Sequence, residues 1–153
     1  MWGTVLKRDL LGETREEDKF HSKKELIEYL KSEIEKQGEN VVIRNLDVSL
    51  VDDLSWLFYK CYYIKSFDLS GWNISNAKNM ICMFYGCTSL KSINLSGWDT
   101  SNVENMGEMF FFCKNLKSLD LSGWDTSKVK DMSDMFWNCP APYKVVDNKI
   151  VKK

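Results

Sequence analysis

Residues Cys87 to Phe110 read CTSLKSINLSGWDTSNVENMGEMF, and most of the remaining chain is that stretch again, displaced by 26 positions. At this period Cys61, Cys87, Cys113 and Cys139 fall in one column, and Phe58, Phe84, Phe110 and Phe136 in another. Trp72, Trp98 and Trp124 make a third, each closing a Leu-Ser-Gly-Trp string and followed by Asn73, Asp99 or Asp125. Self-similarity at a fixed period of this length is the signature of an array of stacked supersecondary units.

Within a unit, Val103, Met106, Met109, Phe110 and Cys113 recur at steps of three or four, which predicts a helix of about three turns. Ser101 with Glu104, and Ser49 with Asp52, match the capping-box pattern at its start. Leu119-Asp120-Leu121 alternates as a very short strand, and Ser122-Gly123 turns the chain. Carrying the register outward aligns Val41 and Ile43 with Phe67 and Leu69, and Val145 with Leu119. The expected fold is therefore α/β: a right-handed leucine-rich-repeat solenoid of about five short parallel strands and four repeat helices. No single unit can bury its own apolar side, so the units must stack.

The ends of such an array need covers. Ser22 to Gln37 carries an apolar stripe of Leu26, Ile27, Leu30 and Ile34, a Ser22/Glu25 capping box and a stop at Gly38, which predicts an amphipathic capping helix within 22–40. The repeats occupy 41–139. In 140–153, after Pro140 and Pro142, Tyr143 to Val146, Asp147-Asn148 and Lys149 to Val151 suit a closing hairpin. Residues 1–21 are a weakly patterned lead-in.

The pattern from Cys87 to Phe110, with Ile93 at one of its leucine positions, resembles the BspA-type leucine-rich-repeat bacterial surface proteins, including mycoplasma-type lipoprotein repeats. The likeness covers Asp47 to Cys139, and the segment Lys23 to Ser49 resembles what precedes such repeats. That resemblance implies binding or adhesion, at a cell surface, rather than catalysis.

The chain has 153 residues, 44% of them hydrophobic, with 21 Lys and Arg against 22 Asp and Glu, so it lacks the bulk positive field of a non-specific nucleic-acid binder. No stretch reaches the roughly 18 apolar residues of a membrane span. No export signal is visible, so the residues alone predict a cytoplasmic protein, where the resemblance implies a cell surface. Five cysteines suit a reducing compartment and free thiols.

No catalytic constellation, metal-ligand set or cofactor motif is expected. His21 is a lone surface or capping histidine, and the columns Met80/Met106/Met132 and Met83/Met109/Met135 read as core filling. Cys82 stands outside the cysteine column and reads first as a partly buried structural residue, with an exposed reactive thiol as the alternative. The favoured function is binding of a protein partner, by a monomer, through the outward strand positions: Asp68, Asn94 and Asp120 side by side, with Lys65, Lys91 and Lys117 in a parallel column. The alternative is a glycan platform of Trp72, Trp98 and Trp124 with Asn73, Asp99 and Asp125, since exposed rings beside carboxylates suit sugars.

Overall fold

The computed structural model describes residues 19–153. Most of the lead-in expected over 1–21 lies outside the described residues. Along the repeats, residues 26 apart lie beside each other in consecutive units. Strands β1 (Asn40–Val42), β2 (Ser66–Asp68) and β3 (Ser92–Asn94) form a parallel sheet in which Val41 pairs with Phe67 and Phe67 with Ile93. A second ladder of isolated parallel bridges joins Asp53 to Asn79, Asn79 to Asn105 and Asn105 to Asp131.

The leucine-rich-repeat solenoid with four repeat helices and five parallel strands is not what forms. Among the described residues there is one α-helix, α1 (Lys23–Gln37), and it precedes the repeats. Only three strands among the described residues run parallel. Ser118 continues them by a single bridge to Ser92, and Val145 belongs instead to an antiparallel hairpin of β4 (Tyr143–Val146) and β5 (Lys149–Lys152).

The backbone hydrogen bonds explain the missing helices. Met106, Glu108, Phe110 and Phe112 donate not to carbonyls four residues back but to Asp131, Ser133, Met135 and Trp137 of the next unit, at 2.8–2.9 Å. The intervening amides close tight turns, Met109 to Met106, Phe111 to Glu108 and Cys113 to Phe110. Glu108 and Phe112 hold left-handed φ of 53° and 60°, as Trp56, Cys82 and Asp134 do in the first of these columns. Such residues break an α-helix. The caps differ correspondingly, because Glu104 reaches Lys130 of the next unit and the Ser101 amide donates to the Asp99 side chain.

Apolar side chains at steps of three are buried all the same. The Phe58, Phe84, Phe110 and Phe136 rings stack nearly parallel, with centroids 5.2, 5.5 and 5.7 Å apart. Beside them Cys87 and Cys113 donate their thiol hydrogens to Phe58 and Phe84 carbonyls. Trp72 and Trp98 give their Nε1–H to Ile43 and Leu69 carbonyls at 2.6 and 2.8 Å.

At the N-terminal end α1 buries Leu26, Leu30 and Ile34 against the first unit, with Ser22 accepting the Glu25 amide and Gly38 closing onto Ile34. The Gln37 amide both donates to and accepts from the Val42 backbone, acting as a partner for the outer edge of β1. At the other end the Tyr143 ring packs on Phe136, and its hydroxyl accepts the Leu121 amide.

Phe110 sits between two rings and is fully buried. Phe110→Ala is expected to cost about 3–5 kcal/mol, as for other buried aromatics. Denaturant unfolding that shows a loss below about 1 kcal/mol would remove the phenylalanine column from the core.

Candidate functional site

The two surfaces singled out from the sequence are only partly assembled. On the strand face Asp68 and Asn94 are register partners, and a shallow hollow of about 290 Å³ runs over them. Asp120 lies beyond the last bridge, where its carboxylate accepts from the Ser122 amide and faces the Tyr143 hydroxyl at 3.4 Å. The lysines do not neutralise the acids opposite them: Lys65 pairs with Glu39, while Asp68 takes Arg44 at 2.6 Å. Lys91 and Lys117 are exposed and form no ion pair among the described residues.

The tryptophan row is largely interior. Trp72 and Trp98 are 1% and 5% exposed and spend their N–H groups on backbone carbonyls, so neither offers a face to a ligand. Trp124 is half-buried and stacks parallel to Trp98 at 6.5 Å. It borders a hollow of about 500 Å³, which also gathers Asn94, Asp99 and Asp120. Asn73 and Asp125 do not line it.

The surface that the sequence reading missed is a second aromatic column one residue from the buried phenylalanines. Tyr59, Tyr85, Phe111 and Trp137 are 26 apart and run along the outside, with successive centroids 5.4, 4.8 and 4.7 Å apart. Trp56 extends the row at Tyr59 and Tyr85, and Phe112 lies against Trp137. Trp137, Trp56 and Tyr59 are 51%, 47% and 40% exposed. Lys60 and Lys114 lie over the Tyr59 and Phe112 rings, within cation–π range. The 26-residue alignment contains this column, but the helical reading gave no reason to separate its outward aromatics from the inward ones.

Cys82 is 1% exposed, and burial, with Glu108 beside it, pushes its thiol up to about 11. A thiol so held carries little thiolate at neutral pH, which favours the structural reading of Cys82 over the reactive alternative. Hydrogen bonds with Cys113 and Cys61, then burial, raise Cys87 as well, and burial raises Cys139 to about 11. His21 is exposed, and its backbone amide donates to Glu25. Among the described residues no group of three or more His, Cys, Asp or Glu is placed to hold a metal ion, and no helix is long and apolar enough to cross a membrane.

Short polar side chains close the corners between these surfaces. Asp47, Asn73, Asp99 and Asp125 each accept the amide two residues on, as do Asp53, Asn79, Asn105 and Asp131, and Asp68, Asn94 and Asp120. These are Asx turns, in which the side chain substitutes for a backbone acceptor. The strand-face acids thus also hold the corner that leads into Ser-Gly.

A family model described as Mycoplasma protein of unknown function, DUF285, matches residues 52–148, more than half of the chain. No curated protein and no solved structure matches it.

The Asx turns make stability sensitive to acid. Hydroxyl and amide bonds from Ser101 hold the Asp99 carboxyl below its ordinary value, and the Ser122, Ser127 and Ser133 amides and hydroxyls do so for Asp120, Asp125 and Asp131. A depressed folded-state value means stabilisation that is complete above the unfolded value, about 3.9, and lost as pH falls through the folded one. Thermal stability should hold steady from about pH 7 to 5 and then decline below about pH 4. Replacing these four aspartates by Asn, which keeps the acceptor as Asn73, Asn79, Asn94 and Asn105 already do, should flatten that decline. An unchanged acid limb would show that these turns do not set it.

Proposed function

The chain belongs to the Mycoplasma protein of unknown function, DUF285, family, and we propose that it is a non-enzymatic binding module that holds a protein partner on its exposed aromatic row. One observation carries the reading: Trp56, Tyr59, Tyr85, Phe111 and Trp137 form a continuous, partly exposed apolar strip across four units. Isolated exposed apolar side chains are ordinary, whereas contiguous strips mark interaction surfaces. Trp and Tyr also lead among residues that dominate binding energy at interfaces. Tyr85, Phe111 and Trp137 stack face to face while Trp56 and Tyr59 join them tilted or edge-on, so the row presents a ridged apolar band, which suits an apolar patch on a protein better than a flat sugar ring. The strand face is a weaker candidate, since Asp68 is held by Arg44 and Lys65 by Glu39.

The likeness of Cys87 to Phe110 to BspA-type surface-protein repeats supports the same reading and favours adhesion at a cell surface. Membership of the DUF285 family is compatible with it and assigns no partner.

Quantitative affinity capture from the native host tests the proposal with two variants. Tyr85→Ser/Phe111→Ser/Trp137→Ser should weaken partner retention by about 30-fold or more, since one interface hot spot alone is worth about 2 kcal/mol. Asp68→Lys/Asn94→Lys/Asp120→Lys should retain it. The reverse ranking moves the site to the strand face.

A glycan reading has one supporting observation, the hollow that joins half-buried Trp124 to Asn94, Asp99 and Asp120. On this reading, binding to a glycan array would be abolished by Trp124→Ala and kept by Trp137→Ala. Retention by both variants, or absence of any glycan signal, ends it.

A further inference from the structure

The last unit carries a row of backbone donors that no acceptor among the described residues uses. At each junction four alternate amides point forward: Leu54, Trp56, Phe58 and Lys60 donate to Asn79, Ile81, Met83 and Tyr85 at 2.8–3.1 Å. Met80, Cys82, Phe84 and Gly86 repeat the arrangement onto the third unit, and Met106, Glu108, Phe110 and Phe112 repeat it onto the fourth. The equivalent amides of the fourth unit are those of Met132, Asp134, Phe136 and Asn138, and they have no acceptor among the described residues. Asp134 and Asn138 hold the same left-handed φ, 51° each, as their counterparts in the paired units, so the row is already shaped as the paired rows are.

Seven of the carbonyls around it are occupied. Those of Asp131, Ser133, Met135 and Trp137 receive the third unit, and those of Met132, Asp134 and Phe136 close turns from Met135, Trp137 and Cys139. Apart from the Asn138 carbonyl, which has no donor among the described residues, the edge offers donors. Two copies meeting through it would bring donor against donor, which excludes symmetric self-pairing by this row. The N-terminal end of a second copy is covered differently, with α1 laid against the first unit, Lys23 on Asp53 and Ser55, and Gln37 on the β1 edge.

We propose that this edge docks an extended segment of another polypeptide, one whose alternate carbonyls face Met132, Asp134, Phe136 and Asn138 as a fifth unit's would. Backbone pairing of this kind is strand addition to an open edge. Beside the row lies a hollow of about 240 Å³ between the fourth unit and the hairpin, bordered by Trp137, Tyr143, Lys144 and Lys153. The segment that fits has an apolar side chain over Trp137 and a neutral or acidic one near the two lysines.

The chain supplies its own probe, because residues 130–138 present the four carbonyls that the third unit recognises. That peptide, acetylated and amidated, is titrated into the isotope-labelled full chain and followed by amide resonances and hydrogen exchange. In the free protein the four amides are expected to exchange faster than those of Met106, Glu108, Phe110 and Phe112. Saturating peptide should shift all four and slow their exchange at least tenfold. Three results overturn the proposal: slow exchange of the four amides without peptide, no shift at them up to millimolar peptide, or the same shifts and protection from sulfate alone, which would make the row an anion site.

Discussion

Every unit depends on where four alternate amides send their hydrogens. Directed to the next unit rather than back along their own segment, they lock residues 26 apart into contact and set the spacing at which side chains repeat. Buried backbone groups must be paired somewhere, and a segment that pairs sideways cannot also be an α-helix. The left-handed residues at the Trp56 and Lys60 columns let the chain turn sharply enough to aim alternate amides the same way. The phenylalanine stack follows from that alignment, because identical side chains brought about one strand spacing apart meet face to face.

The same register generates an inside and an outside ladder one residue apart. Phe110 is buried between Phe84 and Phe136, while Phe111 lies between Tyr85 and Trp137 at the surface. A surface ladder of this kind arises without any ligand, since like side chains in register stack for the same reason that the buried ones do. Its apolar area is nevertheless continuous, and continuity is what gives a partner something to cover. The tryptophan row illustrates the opposite outcome. Its N–H groups satisfy carbonyls of the preceding unit, and so two of its three rings are withdrawn from the surface.

The two ends are treated unequally. The N-terminal end has a helix whose apolar stripe seals the first unit and a glutamine that occupies the β1 edge. The C-terminal end has a hairpin that continues the aromatic stack through Tyr143 but leaves four amides without acceptors among the described residues. Its turn residues Asp147 and Asn148 both hold positive φ, as a two-residue hairpin turn requires. An array that pairs by a one-way ladder must end in a donor edge on one side and an acceptor edge on the other.

The residues alone determined the 26-residue register, the membership of the Phe, Cys and Trp columns, and the local signals at Ser22 and Gly38, because these depend on identity and spacing along the chain. They did not determine the secondary structure of the repeats. Steps of three between Val103, Met106 and Met109 bury the same side chains whether made by helical turns or by successive tight turns, and only pairing between units distinguishes the two. Val145 shows the same limit, since a register match carries no information about strand direction. Which aromatics face outward, and which amides are left over at the end, were decided by the stacked assembly, where the backbone of one unit is the hydrogen-bonding partner of the next.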